Sequence, residues 1–321
     1  MLQGGFSDMK VMVTGGAGFI GSHIVDALRE KGALVAVLDD FSSGRRENLP
    51  QGVRVYEVDV RDRAGVQAAF ADFAPTHVSH QAAQISVAAS VKDPLFDASV
   101  NVLGGLNVLE AARGVGVQHV VFASTGGAIY GEVPEGRRAD ESWPARPASP
   151  YAAAKAAFEH YLEVYRAQFG LRFAALRYGN VYGPRQDPHG EAGVVAIFAR
   201  RLIAGKPVRV YARREKGDSG GVRDYVYVGD VVAANLLALE QGLEGVYNVA
   251  AGAGRSTREV LDAVARALGA RPEVEWAGVR PGDLERSVLD PARLRALGWA
   301  PVTPFDRGIR KTVEWFKEND F

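Results

Sequence analysis

The chain has 321 residues, 47% of them hydrophobic and 24% charged, a composition that buries a large core and excludes disorder as the main state. Its 38 Lys and Arg balance 38 Asp and Glu, so no net field holds a polyanion or an acidic membrane surface, and neither nucleic acid nor membrane is expected as a partner. The absence of cysteine removes disulfides, thiolate metal sites and cysteine nucleophiles together, and no metal is expected.

In chain order, Met1 to Asp8 has neither the basic nor the apolar stretch of a signal peptide and reads as a dispensable leader, with a cytoplasmic location expected. The first strand is expected at residues 10–14. Further strand patterns follow at 34–38, 53–58, 77–81, 119–124 and 173–176, and helical patterns lie between them at 18–30, 64–73, 95–113 and 151–169. This alternation predicts an α/β fold with a doubly wound parallel (Rossmann) sheet. After Asn180 the rhythm loosens into Gly- and Pro-rich loops, with one more strand pattern at 246–250. The expected division is a Rossmann domain of 9–179 with a returning segment at about 226–251, and a smaller α/β substrate-binding domain from 180–225 and 252–321. Ser256 and Glu259 have the spacing of a capping box.

Glycines 15, 18 and 21 sit where the first strand turns into the first helix. There the chain must turn tightly, offer backbone N–H groups to a pyrophosphate and pack helix on sheet, each of which disfavours a Cβ. Asp39 and Asp40 close the second strand, where a carboxylate accepts from ribose hydroxyls and repels a 2′-phosphate, so NAD is expected over NADP. Asp59, after the third strand, suits either the adenine edge or a local cap.

Ser149 and Pro150 open a helix on which Tyr151 and Lys155, four residues apart, share a face. A nearby ammonium favours the phenolate, so Tyr151 is the expected general base. The end of the fifth strand offers Ser124 and Thr125 as the hydroxyl for the reacting substrate oxygen. Thr125 is preferred, with Ser124 kept open.

Five further features carry a resemblance: His80-Gln81-Ala82-Ala83-Gln84, Asn101, the run from Leu176 to Arg185, Arg223-Asp224-Tyr225-Val226 and Arg280-Pro281-Gly282-Asp283. With the cradle and the Tyr–Lys pair, the chain from Lys10 onward resembles the extended short-chain dehydrogenase/reductase family, within it the UDP-hexose 4-epimerases. The resemblance implies NAD against Phe19, Ile20, Asp39, Asp40, Phe41, Ser42, Ser43, Gly44, Asp59, Val60, Gln81, Ala82, Ala83, Asn101, Ser124, Tyr151, Lys155 and Tyr178. It implies a UDP-sugar against Ser86, Thr125, Tyr151, Asn180, Val194, Arg209, Val210, Tyr211, Arg223, Arg280, Asp283 and Ser287. Chemically, two arginines suit a sugar diphosphate. The implied reaction has Tyr151 take the 4-hydroxyl proton while C4 gives hydride to NAD. The 4-keto sugar then turns and recovers hydride on its other face.

Related dehydratases carry a Thr-Asp-Glu run, and decarboxylases a glutamate, where this chain has Thr125-Gly126-Gly127 and no carboxylate up to Gly131, so the resemblance disfavours both. Where some of the epimerases the chain resembles place a bulky tyrosine against the sugar, Ser287 is small, so a UDP-N-acetylhexosamine stands as an alternative substrate, and UDP-glucuronate is a further one. A silent NAD-binding sensor is the alternative from another class, opposed by the presence of both Tyr151 and Lys155. A homodimer through the helices at 95–113 and 151–169 is expected.

Overall fold

A computed structural model describes residues 5–188, 193–280 and 283–319; Pro281 and Gly282 lie outside the described residues. The chain runs β1 (Lys10–Thr14), α1 (Phe19–Glu30), β2 (Leu34–Asp39), β3 (Arg54–Glu57), α2 (Arg63–Phe73), β4 (His77–His80), α3 (Val87–Lys92), α4 (Pro94–Ala98), α5 (Gly105–Gly114), β5 (His119–Thr125), α6 (Gly126–Ile129), α7 (Pro150–Phe169) and β6 (Arg172–Tyr178). It continues through β7 (Asn180–Tyr182), α8 (Val194–Ile203), β8 (Val208–Ala212), β9 (Val222–Tyr227), α9 (Val228–Gln241), β10 (Gly245–Val249), β11 (Gly254–Ser256), α10 (Thr257–Leu268), β12 (Val274–Val279), β13 (Arg286–Ser287), α11 (Ala292–Arg295) and α12 (Phe305–Glu318). No described helix is long and apolar enough to cross a membrane.

Two compact units result: the chain up to Thr125 with Ser149–Arg177 and Val232–Tyr247, and Gly126–Ala148 with Tyr178–Val231 and the chain from Asn248 on. In the first, the short apolar strands build one seven-stranded sheet in the order β10-β6-β5-β4-β1-β2-β3. The pairs β1–β2, β1–β4, β2–β3 and β4–β5 are parallel, with Val11 in register with Val35 and His77. Four of the five β1 residues are buried, as in strands covered on both faces. The order reverses between β1 and β4, the switch point where such sheets take their ligands. Met12, Phe70, Phe122 and Phe158 lie in the core packed against this sheet.

The helix expected at 95–113 is interrupted. Between α4 and α5 lies a π-helical segment, Ser99–Gly104. A Cβ on Gly104 would come within 2.7 Å of Val60 Cγ2, and one on Gly105 within 2.4 Å of the Phe158 ring, so both glycines serve close packing. The expected leader also differs: Phe6–Asp8 form a single 3₁₀ turn whose Phe6 is buried, as is Met9.

The second unit pairs β11, β9, β13 and β7 in one sheet and β12 with β8 in another, with α8, α10 and α12 packed around Phe198, Tyr225, Leu261 and Phe316. The capping box of Ser256 and Glu259 is present at the start of α10. Residues 126–148 belong to this unit although the sequence division put them in the first domain. Tyr130 donates to Asn248 Oδ1 at 2.8 Å, Asn248 Nδ2 donates to the Ala139 carbonyl at 2.9 Å, and the Val133 N–H donates to the Arg286 carbonyl at 3.1 Å. These long-range bonds leave no trace in local periodicity.

Candidate active site

The glycine cradle is built where β1 meets α1. Gly15 has φ +65°, and a Cβ there would lie 2.6 Å from the Ala82 nitrogen; one on Gly21 would lie 2.1 Å from the Gly15 carbonyl oxygen. Only glycine closes this turn. Gly18 caps α1 in extended conformation with no side-chain cap, so the first N–H groups of the helix, from Phe19, Ile20 and Gly21, face an anion site ready made. Asp39 is buried and stitches the cradle to the end of β2: its Oδ2 accepts the Ala17 N–H and its Oδ1 the Phe41 N–H, both at 2.9 Å. Burial pushes its pKa up, against those two bonds. Gly44 packs on the same carboxylate, where a Cβ would lie 2.7 Å from Oδ1. Asp40 is exposed and accepts the Ser42 N–H and hydroxyl at 3.0 and 2.6 Å, and Ser43 beside it is exposed too. A backbone-walled turn, open N–H groups and acidic residues at the next strand end fit a dinucleotide with an unphosphorylated ribose.

Asp59 is held by the Arg61 side chain and N–H, and these bonds hold its carboxyl low despite some burial. Asp62 caps α2, so the local cap in this turn is Asp62 rather than Asp59. Val60 is buried against Gly104. The loop after β4 is fixed at many points. Gln81 Nε2 donates to Ser79 Oγ at 3.0 Å, the Ala82 N–H to Thr14 Oγ1 at 3.3 Å, and Asn101 pairs with Gln84 through the Gln84 N–H at 3.1 Å and the Gln84 carbonyl at 2.9 Å. Ala83 lies half-buried between them. Ser86 accepts the Ala89 N–H at 2.9 Å and caps α3.

Ser149 Oγ accepts the Ala152 N–H at 3.2 Å and Pro150 takes the first helical position, so α7 starts where the sequence placed it. Thr125 stands beside the Tyr151 phenol and works to lower its pKa. Lys155 is buried, donates to the Ala123 carbonyl at 2.9 Å, and stands 4.7 Å from the Phe122 ring and 6.0 Å from the Tyr151 ring. Ser124, in contrast, donates to Glu159 Oε1 at 2.5 Å, and Glu159 is gripped by Arg177 Nε at 3.0 Å in a buried ion pair. The two hydroxyls left open by the sequence thus separate: Thr125 meets Tyr151, and Ser124 is committed to the carboxylate.

The electrostatics differ from the sequence expectation. Burial pushes the Tyr151 phenol up to about 12, with Thr125 working the other way and Asp97 adding to the rise. Burial likewise drives Lys155 down to about 8, opposed by Asp97 and then Glu159. Desolvation outweighs the helical spacing between the two side chains. His80, buried behind them and bonded to Thr14 Oγ1 at 2.6 Å, is driven down to about 3, mainly by burial and further by Lys155. Asp97 and Glu159 went unnoticed in the sequence, and Arg177 was noted only as part of the run from Leu176 to Arg185. The signal for Glu159 was its place eight residues after Tyr151, on the same helical face. Tyr178 is buried at the end of β6.

In the second unit a cavity of about 600 Å³ opens. Of the expected substrate residues, Asn180, Val194, Arg209, Tyr211, Arg223, Arg280 and Asp283 line it. Val210 does not; strand alternation turns it into the core, fully buried. Nor does Ser287, buried in β13 beside Arg223 of β9, its hydroxyl without a partner among the described residues. Arg213 and Tyr225 line the cavity and were missed.

The arginines are unequal. Arg223 is held by main-chain oxygens alone, Nη1 on the Val222 carbonyl at 3.0 Å and Nη2 on the Leu284 carbonyl at 2.6 Å, and no carboxylate pairs with it among the described residues. Burial lowers its pKa, the sign of a cation short of solvent. Gly221 makes its room, since a Cβ there would lie 3.0 Å from Nη1. Arg280 is neutralised by Asp283 through two bonds of 2.9 Å and lies 5.2 Å from the Tyr211 ring centroid, while Arg209 pairs with Glu275 at 2.8 Å. An unpaired guanidinium in a cavity edged by an aromatic ring suits a nucleotide carrying phosphate. No cluster that could hold a metal ion occurs among the described residues.

Residues 11–250 match the model of the NAD dependent epimerase/dehydratase family. The UDP-glucose 4-epimerase of Mycolicibacterium smegmatis is 48% identical over 316 residues, 96% of this chain and 99% of its own. A crystal structure of the UDP-glucose 4-epimerase of Thermus thermophilus in complex with NAD is 65% identical, with a TM-score of 0.94 over 96% of this chain and 99% of that one. The Thermotoga maritima UDP-glucose 4-epimerase, solved with UDP-glucose, is 44% identical with a TM-score of 0.90 over 97% and 99%.

Proposed function

The chain belongs to the NAD dependent epimerase/dehydratase family, and from that premise we propose that it is an NAD-dependent isomerase inverting C4 of a UDP-hexose, interconverting UDP-glucose and UDP-galactose. The observation that carries this reading is Tyr151 and buried Lys155 one helical turn apart on α7, with Lys155 fixed on the Ala123 carbonyl beside the end of β5, in the same unit as the glycine cradle. Relatives of the same name over nearly the whole chain support it.

The Gly15–Gly21 turn would hold NAD at its pyrophosphate and Asp39 and Asp40 at its ribose, and the cofactor would supply a reversible hydride acceptor and a cationic ring. Thr125 and Tyr151 hold the sugar 4-hydroxyl, and Tyr151 Oη takes its proton. Burial holds the Tyr151 phenol up, and the Lys155 ammonium fixed on the Ala123 carbonyl, together with the cationic ring of bound NAD, would bring it down toward phenolate. Arg223 takes the diphosphate, with Arg280 and Tyr211 at its side. Because the sugar is held by its diphosphate, the 4-keto intermediate turns about that linkage without leaving, and Tyr151 returns the proton.

A homodimer is part of the proposal. Leu95 and Leu103 near α4, and Tyr161, Val164 and Phe169 on α7, are exposed apolar side chains of the first unit, and a second copy would cover them. Incubating the purified protein with UDP-galactose, without added NAD, and separating the sugars tests the reading. Conversion toward a mixture containing UDP-glucose without net NADH supports it. No conversion with NAD supplied, while UDP-N-acetylglucosamine or UDP-glucuronate turns over, moves the substrate and keeps the chemistry. Failure on all three rejects it.

A further inference from the structure

One peptide group is held at its two ends by an arginine and a glutamate. Arg223 Nη2 donates to the Leu284 carbonyl at 2.6 Å, and on the other side of that same peptide the Glu285 N–H donates to Glu132 Oε1, also at 2.6 Å. A peptide is planar, its C=O and N–H pointing opposite ways, so whatever fixes the N–H fixes the direction of the carbonyl. Glu132 Oε2 in addition accepts the Arg286 N–H at 3.1 Å, and the Glu285 carbonyl accepts the Val222 N–H of β9 at 2.9 Å. All of these groups belong to the second unit.

The loop that carries Glu132 is itself fastened to β13. Arg286 Nη1 donates to the carbonyls of Val133, Pro134 and Arg137 at 3.1, 2.7 and 2.8 Å, and the Val133 N–H donates to the Arg286 carbonyl at 3.1 Å. The exchange is reciprocal: an acidic side chain of the loop takes main-chain N–H groups at β13, and a basic side chain of β13 takes main-chain carbonyls of the loop. Glu132 is exposed, so water would solvate its carboxylate without help from the main chain. Its two bonds to N–H groups therefore organise the peptide rather than rescue the charge.

We propose that Glu132 is a positioning residue for the diphosphate: through the Leu284–Glu285 peptide, its carboxylate aims and strengthens the carbonyl that holds Arg223. The proposal rests on the assignment of Arg223 to the diphosphate above. A carboxylate bonded directly to Arg223 would neutralise it, as Asp283 neutralises Arg280. One peptide removed, Glu132 orients the guanidinium and leaves its charge for the ligand, because an N–H bonded to an anion polarises the carbonyl of its own peptide. The electrostatics agree in direction: burial lowers the Arg223 pKa, and Tyr225, Asp283 and Glu132 work against that fall.

The test is a double-mutant cycle, read by calorimetric titration of UDP, and of uridine as the ligand without phosphate, into the NAD-loaded protein. Glu132→Ala is expected to weaken UDP binding by about fivefold and to leave uridine binding unchanged. In turnover the same variant is expected to raise KM for the UDP-sugar by a similar factor, with kcat within about twofold of the parent. Added to Arg223→Met it is expected to cost nothing more, since the group it positions is gone. Glu132→Gln, which keeps an acceptor oxygen, is expected to recover part of the loss. A folded Glu132→Ala protein that binds UDP like the parent, that loses uridine as strongly as UDP, or whose loss adds in full to that of Arg223→Met overturns the proposal. If Glu132→Ala does not fold, Glu132→Gln carries the same cycle. Should Arg223→Met bind UDP like the parent, the assignment of Arg223 fails and the role of Glu132 with it. Should the coupling appear in a protein that turns over none of the UDP-sugars, the assigned reaction fails and the role of Glu132 stands.

Discussion

The candidate sites of the two units are built by different means. In the first, the cradle is main chain: glycines that admit no Cβ, helix N–H groups without a cap, and buried Asp39 bonded to two N–H groups. In the second, the cavity is walled by long side chains, and the charges of Arg209 and Arg280 are shared with Glu275 and Asp283. A site made of backbone is set once the fold is set, and little can be altered without breaking it. One made of arginines can be retuned one side chain at a time, which is where a change of substrate is expected to occur.

The contrast can be broken by substitution. Tyr151→Phe is expected to lower kcat by about 10³-fold while NAD binding and the unfolding temperature stay near the parent, measured by turnover and fluorescence titration. Gly15→Ala forces a Cβ to 2.6 Å from the Ala82 nitrogen at φ +65° and is expected to weaken NAD binding by about 100-fold, roughly 3 kcal/mol. In the second unit Arg223→Met is expected to raise KM for the UDP-sugar by about 30-fold with a smaller fall in kcat, because its cation has no carboxylate to fall back on. Arg280→Ala is expected to change KM by only about threefold, its charge being half exposed and already paired. If Arg280 outweighs Arg223, the contrast between free and neutralised cations fails.

Acid sharpens the same comparison. His77 and His119 are buried next to each other at the start of β4 and β5, and burial drives both down to about 4. Their folded pKa lies below the ordinary 6.5, so the unfolded chain binds more protons between those values and stability falls as pH drops from about 6.5 to 4. The loss is on the order of 3 kcal/mol for each residue at the lower end. The second unit has no histidine among its described residues. Hydrogen exchange at pH 4.5 against pH 7 is expected to show amides of β4 and β5 losing protection ahead of those of β9 and α10. Equal loss in both units would remove the histidines as the cause.

What could be read in the sequence follows the same line. The residues 10–14 and 34–38 announced their strands because both faces are covered and apolar runs suffice. The cradle and the Tyr151–Lys155 pair were legible because backbone turns and helical spacing are local. Val210 was carried over with its neighbours and Ser287 was chosen for its small size, although strand alternation turns Val210 away from the cavity and Ser287 is buried in β13. Asp97 and the Glu159–Arg177 pair stayed hidden, since a buried charge shows itself only when its partners arrive from other strands and helices. The attachment of 126–148 to the second unit depends on Tyr130 and Asn248, 118 residues apart.

The π-helical segment at Ser99–Gly104 fixes an angular phase. A π turn carries one residue more than an α turn, and each residue advances a helix by about 100°. Deleting one residue there would restore a regular ladder and leave α5 in its packing, yet everything before the deletion would rotate by that angle. Asp97, whose Oδ1 accepts from Gln84 Nε2 at 2.7 Å, would then swing away from it. The orientation of this part of the site is therefore stored as a surplus residue in a helix, and a single-codon deletion could erase it while leaving the rest of the fold in place.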